Sequence, residues 1–237
     1  MSDQLKRSYP ANYDSHARSV PPDAYWAQVR RTIDGAPVSE AQIMLIVNAI
    51  TAGLSLRQSD FVLDLACGNG ALSSYLFDQC AGLLGVDISP YLIEVACNVF
   101  SRPPDYRFCA GDMISYVKNE SNATRFNKTL IYAGLQYFRK PDVIAVLKSL
   151  NERFTRLERV FIGNVPNRRE AKRALQDRIA TETELDDHEA RIGVWYFPEE
   201  FQALAEEAGW SASVSYMPAE FYASGYRFDV TLARPAS

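Results

Sequence analysis

Histidine and cysteine are scarce in this chain of 237 residues: His16 and His188, and the four cysteines Cys67, Cys80, Cys97 and Cys109. No two cysteines form a C-x-x-C pair and there are only two histidines, so no zinc site is expected, and the thiols read as small buried side chains. Long apolar runs are missing as well. The strongest, Ile43 to Ile50, contains Asn48 and is far short of the roughly 20 residues that span a bilayer. Met1 to Pro10 holds no apolar stretch of signal-peptide type, so a cytoplasmic location is expected. Positive charge is not in excess: 25 Lys plus Arg stand against 29 Asp plus Glu, a formal net charge of -4. That balance argues against a nucleic-acid partner, which wants a basic face, but leaves room for a local basic patch. What the chain has in plenty is apolar side chains, 47% of the total, enough for a core without disulfide or metal staples.

The first twenty or so residues, with Pro10 and Pro21, read as an arm. A short helix is predicted from Asp23 to about Arg31, broken by Gly35 and Pro37. A second helix starts at Ser39, with Gln42 completing a capping box, and buries Ile43, Ile46, Val47, Ile50 and Leu54. From residue 61 strands alternate with helices. The strands are Phe61–Leu65, Leu83–Asp87, Tyr106–Ala110, Lys128–Ala133 and Arg159–Gly163; helices are predicted over 70–79, from Ser89-Pro90 onward, and over 141–153. A charged surface helix over 168–182, an acidic loop or lid over 181–189, and a helix from Pro198 to Ala208 stopped by Gly209 follow. Ser211–Met217 and Arg227–Ala233 alternate as half-buried strands do. The expected fold is α/β, a doubly wound, mostly parallel seven-stranded sheet with the last strand antiparallel and an N-terminal helical cap.

Three strands end in similar chemistry. The first runs into Asp64-Leu65-Ala66-Cys67-Gly68-Asn69-Gly70, where a tight turn brings backbone N–H groups up to a ligand and a side chain at Gly68 or Gly70 would block the approach. A dinucleotide fingerprint needs a third glycine where Ser73 stands, and no Gly-Lys-Ser/Thr follows to make a P-loop. The second strand ends in Asp87, placed to accept both hydroxyls of a ribose. The third leads to Gly111-Asp112-Met113. Each aspartate alone could be a turn former or a cap. Three in strand order, along one sheet edge, make a site.

These residues resemble the class I methyltransferases that use S-adenosylmethionine. Val62 to Gly70 is similar to that family's glycine-rich first motif, with Ala66 where glycine is usual; Gly85-Val86-Asp87-Ile88-Ser89 resembles the second, Ala110-Gly111-Asp112-Met113 the third, and Leu130 to Tyr137 takes the place of the fourth. The resemblance implies a Rossmann-like methyltransferase fold and S-adenosyl-L-methionine as cofactor. Gly68, Gly70 and Ala66 would line its methionine and sugar, and Asp64 would orient the loop and reach the amino group through water. Asp87 would hold the ribose, Ile88 would pack on adenine, Asp112 would accept from the adenine amino group beside the Met113 N–H, and Ala133 would pass near the methionine end. Residues 1–54 would be an arm and helices capping the site, 55–237 the cofactor-binding domain, and 167–197 a lid.

The acceptor is read by elimination within that resemblance. Metal-assisted catechol methyltransferases carry acids after the fourth strand, where this chain has Ala133-Gly134-Leu135-Gln136; enzymes that methylate nucleic-acid amino groups carry an Asn/Asp-Pro-Pro-aromatic motif there, also absent. Tyr25 to Ser39 and Tyr226 to Val230 resemble methyltransferases of bacterial surface-polysaccharide and small-metabolite pathways. The expectation is metal-independent transfer to an oxygen of a small molecule or sugar, with no nucleic acid, no membrane span and a homodimer as candidate assembly. The alternatives are an N-methyltransferase of a small metabolite, a non-catalytic cofactor-binding module, and an NAD-dependent oxidoreductase. Tyr25 and Arg30 would cover the cofactor, or their helix would only pack on the core. His188, in the lid, is the candidate base, with His16 behind it. Gln136, Tyr137 and Trp195 would border the acceptor, and Arg168, Arg169 and Arg173 either attract an anion or form a solvated face.

Overall fold

The computed structural model describes residues 13–175 and 181–235. The start of the predicted arm, with Pro10, and the part of the predicted surface helix over 176–180 lie outside the described residues.

The sheet has strands β1 (Phe61–Leu65), β2 (Gly82–Asp87), β3 (Tyr106–Ala110), β4 (Lys128–Tyr132), β5 (Arg159–Pro166), β6 (Ser211–Ser215) and β7 (Arg227–Ala233). Their order across the sheet is β3-β2-β1-β4-β5-β7-β6; β3 to β5 are parallel, and β7 runs antiparallel to both β5 and β6. The expected fold is borne out. The order reverses between β1 and β4, so the loops leaving these two neighbours diverge and open a crevice at their carboxyl ends.

Strands β1, β2, β4, β5 and β7 are largely buried on both faces, while the edge strands β3 and β6 are partly exposed, and the period of two sorts the core into two layers. Val62, Leu130 and Phe161 face the layer under the helix Glu40–Leu54, while Leu63, Ile131 and Ile162 face the layer that holds Val146, Leu150 and Trp210. The helices are α1 (Tyr13–Ser19), α2 (Tyr25–Gln28), α3 (Glu40–Leu54), α4 (Pro90–Val95), α5 (Met113–Asn119), α6 (Lys140–Arg153), α7 (Ala171–Ala174), α8 (Glu182–Leu185) and α9 (Pro198–Glu207). Among the described residues no helix is long and apolar enough to cross a membrane.

Several local expectations are corrected. Ser39 caps α3, accepting from the Gln42 N–H at 3.4 Å, but the Gln42 side chain does not close the box: its Nε2 donates to the Glu220 carbonyl at 2.8 Å and its Oε1 accepts from the Tyr222 N–H at 2.9 Å. The helix expected after β1 is a 3-10 helix, Ser73–Gln79, entered through serines whose hydroxyls bond to Asp64 and to the Ala71 carbonyl in place of a regular first turn. Among the described residues, the charged surface helix is a 3-10 turn, Arg168–Glu170, followed by α7, and the Arg168 guanidinium turns inward to Asp186, at 2.8 Å, and to Glu182. Those partners sit on and just after α8, a short helix with a Thr181–Glu184 capping box where a loop was expected. Cys67 and Cys80 are buried as expected, but Cys97 is exposed. Between α2 and α3 a two-stranded hairpin, Thr32–Ile33 with Ala36–Pro37, turns through Asp34 and Gly35 at φ 49 and 82°.

At the amino ends of the strands, away from the crevice, Lys128 is 1% exposed, its Nζ 2.7 Å from Glu158 and 3.8 Å from the fully buried Asp60. Truncating it leaves Asp60 without its buried counter-charge. Lys128→Ala should lower unfolding free energy in urea by about 3–5 kcal/mol; a loss below about 1 kcal/mol, the range of an exposed pair, would show that this charge is not needed.

Candidate functional site

At the end of β1 the chain reverses within a few residues. Ala66, Gly68 and Gly70 take φ of 61, 59 and 77°. Glycine enters that left-handed region freely, whereas alanine pays about 1–2 kcal/mol. The Ala66 methyl lies where a Cβ on Gly134 would come within 2.5 Å, so the loops after β1 and β4 divide one space between them. Ala133, after β4, and Asn164, at a register shift in β5, also have positive φ, 59 and 65°. Three neighbouring strands thus carry a left-handed non-glycine residue at one end of the sheet, where strain is characteristically kept for function.

The carboxylates hold this rim together. Asp87 Oδ2 accepts from the Gly68 N–H and Oδ1 from the Ser89 N–H, both at 2.9 Å. Burial pushes its carboxyl up, against those N–H bonds. Asp64, beneath the turn, accepts from the Ser73 hydroxyl at 2.6 Å. Burial pushes the Asp64 carboxyl up to about 7; the Ser73 bond opposes the rise and the Asp87 charge adds to it. Asp112 caps α5, Oδ2 accepting from the Ser115 N–H at 2.8 Å. The serine that replaces the third glycine of a dinucleotide fingerprint is therefore the partner of the first acid.

Two adjoining cavities occupy the crevice. The first is lined by Asp64, Ala66 and Gly68 from the β1 end, by Asp87 and Ile88 from β2, by Asp112 and Met113 after β3, and by Ala133 after β4. The second, about 1060 Å³, holds Gln136, Tyr137 and Trp195 in its wall. Tyr13, Val29, Arg31, Ala133 and Tyr137 line both.

Four predicted site residues stand elsewhere. Gly70 is outside the lining; a Cβ there would meet the Phe108 ring at 2.7 Å, so its bareness serves packing. Tyr25 packs edge-on against Phe100, centroids 5.1 Å apart. Arg30 borders the second cavity, not the first. His188 lines neither, although its neighbours Asp187 and Ala190 line the second, because the turn is closed by the Ala190 N–H on the Asp187 carbonyl at 3.2 Å. The histidine that does border the second cavity is His16, its Nε2 donating to the Ala27 carbonyl at 2.9 Å.

Sequence reasoning missed Tyr13, Val29, Arg31 and the tether that seats them. Asn69 Nδ2 donates to the Tyr25 carbonyl at 2.8 Å and to Oε1 of the fully buried Gln28 at 2.9 Å, joining the β1 turn to the N-terminal segment. Asp14 accepts from the Ser89 hydroxyl, joining α1 to the start of α4. The only signal was Asn69 inside the glycine turn; nothing in periodicity marks the rest.

Residues 62–155 match the family described as a methyltransferase domain. The chain is 33% identical over 96 residues to magnesium-protoporphyrin O-methyltransferase of Rhodobacter capsulatus, covering 39% of this chain and 40% of that one. It is 34% identical over 77 residues to an uncharacterized methyltransferase of Schizosaccharomyces pombe, covering 32% and 27%. The matches thus span less than half the length of these curated relatives. Among solved structures, the magnesium protoporphyrin IX methyltransferase of Synechocystis PCC 6803 with bound SAH superposes with a TM-score of 0.62 at 15% identity, over 99% of this chain and 100% of that one. The N-methyltransferase NodS of Bradyrhizobium japonicum WM9 superposes at 0.56 and 15%, over 83% and 96%. The family resemblance read from the motifs is borne out, and the superpositions show the shared fold.

Asp64 sets a pH dependence. Its folded pKa, about 7, lies above its ordinary value of 3.8, so its contribution to stability is complete below the lower value and is lost as pH rises through the higher. Stability measured by urea unfolding should therefore fall less between pH 4 and 8 in Asp64→Asn than in the parent chain. Equal pH profiles would show that the carboxyl is not raised.

Proposed function

We propose that the chain is a metal-independent, S-adenosylmethionine-dependent methyltransferase acting on an oxygen of a small molecule or glycan. One observation carries the reading: the acids that close β1, β2 and β3 border a single cavity, and the wall of that cavity beyond Ala133 is shared with a much larger one. A donor site and an acceptor site need that adjacency, because transfer of a methyl group depends on alignment and exclusion of water. When bound, the cofactor supplies an already activated methyl group. The chain's own residues then hold and shield. Asp87 takes the ribose hydroxyls with the oxygen lone pairs not used by Gly68 and Ser89. Ile88 packs on adenine, and Asp112 with the Met113 N–H reads its edge. Asp64 faces the amino-acid end. The methyltransferase-domain match over 62–155 and the O-methyltransferase name of one relative support this reading.

The N-terminal cap within 1–54 closes the donor side, through Tyr13 and Val29, and the lid over 167–197 borders the acceptor side, through Leu185 and Trp195. His16, whose Nε2 is occupied by the Ala27 carbonyl, offers Nδ1 as a base toward the acceptor, in the role first expected of His188. A cytoplasmic location and a homodimer belong to the same proposal.

Isothermal titration with S-adenosylhomocysteine should show binding, and Asp87→Ala should weaken it by about 2–5 kcal/mol. No heat up to millimolar ligand, with a fluorescence response to NADH instead, would replace the donor by a nicotinamide nucleotide. Because an ammonium near Asp64 favours its ionised form, binding near pH 6 should release a proton and tighten as pH rises through about 7. Titrations in buffers of different ionisation heat measure that proton; identical heats would remove Asp64 from the amino end.

A further inference from the structure

The large cavity is cationic within an acidic chain. Arg30, Arg31, Arg191 and Arg227 line it against two carboxylates, Glu184 and Asp187, while the chain carries a net charge of -4. Both carboxylates already serve their own segments: Glu184 accepts from the Thr181 N–H at 2.8 Å and Asp187 from the Glu189 N–H at 2.9 Å. The arginines first considered as anion attractors are engaged too, Arg168 with Asp186, Arg169 with Glu199 and Arg173 with Glu170.

Arg31 and Arg227 differ from these, for among the described residues neither pairs with a carboxylate. The Arg31 guanidinium lies over the rings of Trp26 and Tyr132, 5.4 and 5.1 Å from their centroids. Arg227 is 8% exposed; it donates from Nη1 to the Asn164 carbonyl at 3.0 Å and lies 4.8 Å from the Tyr226 centroid. Its Nε is buried with no hydrogen-bond partner, and so is Oδ1 of Asn164, another residue of the cavity wall. A buried guanidinium with an open donor and no counter-charge is costly unless a ligand completes it, and a carboxylate is the group its planar fork fits. Tyr137, Tyr222, Tyr226 and Trp195 give the same cavity flat aromatic walls. Its volume, about 1060 Å³, suits a large ligand.

We infer that this cavity takes an aromatic acceptor bearing a carboxylate, the anion held by Arg227 and Arg31 and the rings by the tyrosines and Trp195. The inference deepens the proposed function and rests on it, since Arg31 and Tyr137 also border the donor cavity.

The test is fluorescence titration of the full chain, loaded with S-adenosylhomocysteine, with pyrenecarboxylate and with its neutral amide. The acid should bind about tenfold or more tighter than the amide, and Arg227→Gln should abolish that preference while leaving amide binding nearly unchanged. Arg191→Gln, at an exposed position that does not disturb the core, should weaken the acid by about twofold to fivefold, and added salt should weaken the acid alone. Equal affinity for acid and amide, binding of neither, or an acid preference that survives Arg227→Gln overturns the inference. If Arg227→Gln does not fold, Arg31→Gln with the salt series decides in the same way. Failure of S-adenosylhomocysteine to bind is separate and strikes the donor site; the acid–amide comparison on the unloaded chain then still judges the arginine cavity.

Discussion

The structure depends on a buried carboxylate that accepts two backbone N–H groups. Asp87 reaches from the end of β2 to Gly68 in the turn after β1 and to Ser89 at the start of α4. Without that acceptor the Gly68 N–H would lose its partner, and the turn its fixed distance from the second strand. The same carboxylate borders the first cavity. Scaffold and cavity wall are therefore one group. A buried acid that answers several N–H donors is costly to move and well defined in position, which is what a recognition site requires.

Around this anchor, backbone strain and small side chains settle the shape of the crevice. Ala66 and Ala133 sit at positive φ on neighbouring strands, and Gly134 leaves room for the Ala66 methyl. Farther along, Asp229 accepts from the Asn164 N–H at 2.7 Å and holds the irregular step in β5; burial pushes its carboxyl up to about 6, against that bond. The irregularity brings Asn164 into the wall of the second cavity, beside Arg227 from the antiparallel strand β7. The antiparallel strand next to the parallel ones thus supplies the cavity wall with a cationic side chain, Arg227, that the parallel strands do not.

The N-terminal segment completes both cavities. Val29 presses on the glycine turn so closely that a Cβ on Gly68 would come within 2.9 Å of its Cγ1. Tyr13 and Arg31 stand in the partition between the two spaces. The segment is tied to loops of the rim by Asn69 and by the Asp14–Ser89 bond, and it packs through Trp26 and Val38 on the core layer under α3.

The strands, their order of use and the three acids at their ends were legible in the sequence because each is a local signal: an apolar run, a glycine turn, an aspartate after the run. The same locality explains why α3 was read to its last buried residue, Leu54, with its cap at Ser39. The inward turn of Arg168 and the short helix α8 were not legible, because Arg168 is drawn to Asp186 and Glu182, a pairing across the chain that no periodicity encodes. His188 was chosen by its place in the chain, yet a cavity wall is decided by which elements meet, and these brought His16 there instead. By itself the sequence determined the parallel sheet and the acidic rim, since burial of alternating residues and the geometry of a turn act within a few residues. Only the tertiary structure decided what covers the rim and which arginines remain without a counter-charge, since both depend on contacts between segments as distant as Arg31 and Arg227.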